Sequence, residues 1–154
     1  MEFSLFSRGN ARRNGAGALR LTGMTEMASP RERDQRTVLT VDDSASILEA
    51  IEVMLREAGY HVIAASDGRK ALDIAAAQNP DLIITDLHMP AMDGLTLMRE
   101  VRKLPGCRYI PIIILTTDAS PTHKSEARAA GASAWMSKPF NADKLLNVVR
   151  KVLR

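Results

Sequence analysis

From Thr37 onward the chain alternates short apolar runs with stretches in which apolar residues recur every three or four positions. The runs are Thr37–Val41, Tyr60–Ala65, Asp81–Thr85, Ile110–Leu115 and Ser133–Met136, and each reads as a strand. The central ones are continuous rather than alternating, as expected for strands buried on both faces. Each run is followed by an amphipathic helix, five in all. The first opens near Ser44 and carries Ile47, Leu48, Ile51, Met54, Leu55 and Ala58 on one stripe, with Gly59 suited to its C-terminal cap. The second runs from about Asp67 to Gln78 and stops before Pro80. The third follows Asp93, turns Leu95, Met98 and Val101 inward, and fades near Leu104–Gly106. The fourth has Ser120 as N-cap and Pro121 in its first position, and it ends at Gly131. The fifth opens at Asn141 and buries Leu145, Val148, Val149 and Val152. Strict strand–helix alternation predicts an α/β domain, a five-stranded parallel sheet flanked by five helices.

Residues 1–36 show no such period. They are rich in Arg, Gly and Ser, and Phe3, Leu5 and Phe6 form their only bulky cluster, so they are expected to be a basic, disordered tail. Gly15-Ala16-Gly17 lacks a preceding strand and has Arg20 where a dinucleotide fingerprint needs its third glycine. The Arg-rich, acid-poor composition also suits a transit peptide, and Met24 or Met27 offers an alternative start. The tail holds seven Arg against four acids, while residues 37–154 hold fourteen charges of each sign. The net +3 therefore belongs to the tail, and no nucleic-acid-binding excess marks the domain. No stretch is apolar enough for a membrane span or a secretory signal, and a single cysteine, Cys107, fits a cytoplasmic chain with an inert small thiol.

The candidate chemistry lies at the strand ends. Asp42-Asp43 follow the first strand, Asp86 the third, Thr116-Thr117 the fourth and Ser137-Lys138-Pro139 the fifth. In a parallel sheet these ends share one edge, where ligands bind. Acids, a hydroxyl and an amine gathered there suit a divalent cation together with a phosphoryl group. Taken singly, each has a plainer reading: an N-cap acid pair, a strand-ending Thr, a solvated loop Lys. Four strand ends in order outweigh them.

This placement resembles the receiver domain of two-component response regulators over Thr37 to Leu153, and within that family the chemotaxis CheY type. The segments Thr37–Ser44 and Gly131–Phe140 carry the resemblance most strongly. It implies a flavodoxin-like sheet of order 2-1-3-4-5, an example the general rule for such sheets itself names. It implies Asp86 as phosphoacceptor, charged by a sensor histidine kinase, with Thr116 and Lys138 binding phosphoryl oxygens. Mg2+ would be held by Asp43, Asp86 and the His88 backbone carbonyl, with Asp42 acting mainly through water. The Lys138–Pro139 bond would be cis. Thr116 and Trp135 would form the switch, Trp135 standing where the family usually places Tyr or Phe. His88 and Asp118 occupy the two positions that border the incoming water and depart from the common pattern. With no second His or Cys at ligand spacing, the His88 side chain is read as a modulator rather than a metal ligand.

The resulting expectation is a monomeric single-domain regulator, not an enzyme, that signals by protein contact, in chemotaxis to a flagellar motor switch protein. A phosphate sink or relay in another pathway is the alternative. An aspartate-nucleophile phosphatase is disfavoured, since such enzymes need a second acid where His88 stands. DNA binding by the tail rests on Arg content alone.

Overall fold

The computed structural model describes residues 3–6 and 35–154. The elements in order are β1 (Phe3–Leu5), β2 (Thr37–Val41), α1 (Ala45–Glu57), β3 (His61–Ala65), α2 (Gly68–Gln78), β4 (Leu82–Thr85), α3 (Gly94–Val101), β5 (Ile112–Thr116), α4 (Pro121–Ala129), β6 (Ala134–Ser137) and α5 (Ala142–Leu153). They form one six-stranded sheet of order β1-β6-β5-β4-β2-β3. The five strands from β2 to β6 are parallel and in the expected order, and the five helices are all present. The fold is flavodoxin-like.

β1 departs from expectation. Phe3, Ser4 and Leu5 pair antiparallel with Met136, Trp135 and Ala134. The Phe6 amide donates to the Ser133 carbonyl at 3.0 Å, and its ring packs on the core with the Arg128 guanidinium 5.6 Å from its centroid. Without β1, β6 would be an edge strand with an unpaired row of amides and carbonyls, which an apolar triplet can satisfy. Three residues are too few to show a period. For residues 7 to 34 the expectation of a disordered tail lies outside the described residues.

The sheet separates two cores. One gathers Leu39, Ile83, Leu97, Met98, Ile112, Ile114 and Trp135, and the other Val38, Ile51, Leu55, Ile84, Ile113, Leu145 and Val149. All of β4 and β5 is buried, which accounts for their unbroken apolar runs. Each wholly buried Leu or Ile contributes about 1.5–3 kcal/mol, and together they offset the cost of gathering like charges at the sheet edge.

Helix starts follow the sequence closely. Ser44, Asp67, Asp93, Ser120 and Asn141 are all N-caps whose side chains accept an amide of the first turn. Gly59 and Gly131 have φ of +99° and +103°, beyond the ends of α1 and α4. The expected inward faces hold, and each gains one residue. In α3 Leu97 joins Met98 and Val101 in full burial while half-buried Leu95 packs on the same core, and in α5 Leu153 is buried with Leu145, Val148 and Val149 while half-buried Val152 packs against them. β5 begins at Ile112 rather than Ile110, because Pro111 has no amide to give the ladder.

Candidate functional site

The C-terminal ends of β2, β4, β5 and β6 bring the expected residues together. Asp42 and Asp43 leave β2, and the Asp42 amide donates to the Ala65 carbonyl at 3.2 Å. Asp42 Oδ1 accepts the Ser44 amide at 2.9 Å, so this carboxylate is tied to the start of α1. Asp86 leaves β4, its amide donating to the Val41 carbonyl at 3.0 Å. Its Oδ1 accepts the amides of Leu87 at 2.6 Å and His88 at 3.3 Å, which fixes the carboxylate plane. Asp42 and Asp86 are buried and Asp43 is exposed. One oxygen from each of the three lies within 4.8 Å of the others. An all-carboxylate donor set of this size fits a hard divalent cation of the Mg2+ class, which prefers oxygen ligands and retains several waters.

Lys138 closes the cluster from β6. Its Nζ donates to Asp42 Oδ2 at 2.7 Å and to Asp86 Oδ2 at 2.9 Å, bridging acids that the sequence places 44 residues apart. Burial pulls the ammonium pKa down, but its hydrogen bonds to Asp42 and Asp86, with the charges of those two acids, outweigh it and hold it above its ordinary value. The Lys138 amide donates to the Thr116 carbonyl at 2.9 Å, joining amine and hydroxyl through the backbone. The Lys138–Pro139 peptide is cis. Thr116 is wholly buried, and its Oγ1 accepts the Asp118 amide at 3.2 Å.

Trp135 is also wholly buried, in the core beneath the site, and its indole N–H has no hydrogen-bond partner among the described residues. A switch in which this ring moves from an exposed to a buried position therefore has no exposed starting state here. Cys107 fits its plain reading: it is buried, and burial pushes the thiol pKa up despite nearby Arg102.

Two features escaped the sequence. Gly94, the first residue of α3, packs so closely beneath the loop that a Cβ there would collide with the Asp86 carbonyl oxygen and approach the Leu87 Cα to 2.9 Å. Its amide donates to the Leu87 carbonyl at 2.8 Å. The second feature concerns His88, for which the sequence offers no second His or Cys at ligand spacing. His123, in the first turn of α4, lies with its ring centroid 5.6 Å from that of His88. Asp118 Oδ2 stands between them, 2.6 Å from His88 Nε2 and 2.6 Å from His123 Nδ1. The hydrogen bond from His88 is the main reason the Asp118 carboxyl falls from its ordinary 3.8 to about 2, with the Ser120 amide and His123 also contributing. A separation of 35 residues hides the histidine pair in the sequence. The available signal was that His88 and Asp118 each stand two residues past a strand-end site residue.

Residues 38–150 match the response regulator receiver domain family. The chain belongs to that family. Among curated relatives, this receiver is 37% identical over 117 residues to the response regulator MprA of Mycolicibacterium vanbaalenii, covering 76% of this chain and 50% of that protein. It is 38% identical over 117 residues to the transcriptional regulatory protein KdpE of Mycobacterium tuberculosis, with the same two coverages. The chain thus spans about half the length of these relatives. Among solved structures, the Vibrio cholerae chemotaxis protein CheY4 superposes with a TM-score of 0.75 at 43% identity, covering 77% of this chain and 99% of that one. The receiver domain of the Pseudomonas aeruginosa sensor histidine kinase PA1611, solved with magnesium coordinated in its active-site cleft, gives 0.72 at 32% identity, covering 77% and 98%.

Proposed function

We propose that Asp86 is the phosphoacceptor of this receiver and takes its phosphoryl group from a phosphohistidine of a sensor histidine kinase. The observation that carries this reading is the Lys138 ammonium bridging Asp42 and Asp86 at 2.7 and 2.9 Å at the sheet edge. A carboxylate oxygen of Asp86 attacks phosphorus, the phosphorus–nitrogen bond to the kinase imidazole breaks, and the imidazole nitrogen keeps the electron pair. The product is an aspartyl phosphate. Backbone amides on Oδ1 fix the attacking carboxylate beforehand, so little reorganisation is needed. Lys138 then exchanges its contact with Asp86 for a phosphoryl oxygen, and the Thr116 hydroxyl, which accepts the Asp118 amide through a lone pair, turns its own proton to another. Asp42, Asp43, Asp86 and the His88 carbonyl would hold Mg2+, which would supply positive charge to the phosphoryl oxygens. The magnesium-bearing cleft of the PA1611 receiver supports that assignment.

The chain acts as a phosphoacceptor rather than as a turnover enzyme, and it passes the signal by contact with a protein partner. The 43% identity to CheY4 across nearly all of that chain favours chemotaxis, with a flagellar motor switch protein as target. Relatives such as MprA and KdpE favour other sensory pathways, where this chain would serve as a regulator or phosphate relay. The phosphatase alternative lacks its second acid, because position 88 is His.

The deciding test is labelling by a small phosphodonor in Mg2+. Asp86→Asn, nearly isosteric but a far weaker nucleophile, is expected to reduce incorporation to background while keeping the native circular dichroism spectrum. Wild-type labelling of that variant, mapped to another residue, would overturn the assignment.

A further inference from the structure

His88, Asp118 and His123 come from three separate places, the loop after β4, the loop after β5 and the first turn of α4. They nevertheless meet at one carboxylate oxygen, with both imidazole nitrogens 2.6 Å from Asp118 Oδ2 and one ligand atom of each residue within 4.8 Å of the others. The carboxylate is held from behind. Asp118 Oδ1 accepts the Ser120 amide at 2.7 Å, and the Asp118 amide donates to Thr116 Oγ1 at 3.2 Å. The two imidazoles are the movable partners, with 59% and 40% of their side-chain surfaces exposed. A fixed carboxylate flanked by two exposed imidazoles can admit one ion once the rings swing off their 2.6 Å hydrogen bonds.

The donor chemistry selects the class of ion. Two imidazole nitrogens and one carboxylate oxygen suit zinc and its first-row neighbours, whereas Mg2+ and Ca2+ favour oxygen-only sets such as Asp42, Asp43 and Asp86. Three protein ligands with a solvent position make a four-coordinate set that zinc accepts. We propose that His88 Nε2, His123 Nδ1 and the Asp118 carboxylate form a transition-metal site of the Zn2+ class, separate from the acidic cluster. Binding requires both coordinating nitrogens to present lone pairs, so each imidazole carries its remaining proton on the other ring nitrogen, and any excess proton leaves to solvent. Metal–ligand bonds of about 2.0–2.2 Å set neighbouring donors of a tetrahedral site roughly 3.3–3.6 Å apart, so each imidazole would swing outward from its 2.6 Å hydrogen bond to admit the ion, a motion that exposed rings permit. The site does not depend on the phosphoacceptor reading, since none of its three side chains touches the Asp86 carboxylate.

The test is Zn2+ titration of the full chain without a polyhistidine tag, against a chromophoric chelator and in excess Mg2+ to keep the oxygen cluster filled. Wild type is expected to take up one Zn2+, and Co2+ in its place should give visible ligand-field bands. His123→Ala should weaken Zn2+ binding about tenfold or more and abolish the bands, yet leave the Mg2+-dependent rise in melting temperature intact. Equal Zn2+ affinity in wild type and His123→Ala would overturn the site. So would a loss of binding in Asp43→Ala with none in His123→Ala, which would place the ion in the acidic cluster.

Discussion

At the scale of the residue, Lys138 is the keystone of the resting site. Its ammonium compensates two carboxylates that share a largely water-free edge, with 11%, 4% and 11% exposure for Lys138, Asp42 and Asp86. Lys138→Met leaves both acids without a cation and should destabilise the fold by about 3 kcal/mol, the low end for breaking a buried pair. Chemical denaturation measures this, and the loss should shrink in Mg2+, which answers the same charges. Because the folded Lys138 pKa lies above its ordinary 10.5, its contribution is complete below that value and disappears as pH rises through the folded pKa. Asp118 behaves in the opposite sense. With a folded pKa of about 2 against 3.8, its contribution is present above pH 3.8 and is lost as pH falls toward 2. The Asp118 carboxyl carbon resonance should titrate near 2, and His88→Ala should move that midpoint back toward 3.8. A midpoint that ignores the substitution would show that His88 is not its main cause.

Among the elements, the loop from β4 to α3 carries the tightest constraint. Gly94→Ala would force a methyl group against the Asp86 carbonyl and the Leu87 Cα. The loop must shift, at a cost of about 1–3 kcal/mol, and Asp86 shifts with it. Phosphorylation by a small donor should therefore slow in Gly94→Ala by more than the loss of stability explains. A variant with normal labelling and a lowered melting point would show that the loop yields without moving the carboxylate. Neighbouring elements also show which parts of the structure were legible. The apolar runs of β4 and β5 and the five N-caps were plain, because burial on both faces and first-turn amides each leave a local signature. The inward faces of α3 and α5 each gained a residue, Leu97 and Leu153, because the sheet covers a wider stripe of each helix than the three-and-four spacing singles out. Gly94 against Asp86 and His88 against His123 are tertiary meetings, and no local pattern announces them.

For the molecule as a whole, the balance lies between a buried sheet and the charge gathered at its edge. Mg2+ bound only by the folded chain should raise the melting temperature. At about ten times the dissociation constant the gain is about 1.4 kcal/mol, or roughly 4–6 °C for a domain of this size. Asp43→Ala should remove most of that increment while leaving the cores intact, because Asp43 is exposed and contributes little else. An unchanged melting curve in millimolar Mg2+ would count against the oxygen cluster as a cation site.

β1 gives the molecule a property that its five-stranded core lacks. In the sheet it lies four strand spacings from β2, roughly 19 Å away. The residues from 7 to 36 that join the two strands could extend to about 100 Å, several times that distance. A connection of that contour length has residues to spare over the distance, so the β1–β6 pairing rests on its own contacts. The pairing of Phe3–Leu5 with β6 lies within one chain, and its strength does not depend on protein concentration. Any external strand seeking the same row of amides and carbonyls must outcompete an occupant that never diffuses away. The edge of β6 is thus reserved by residues 3–5 of the same chain, and a competitor must overcome their local concentration as well as their hydrogen bonds.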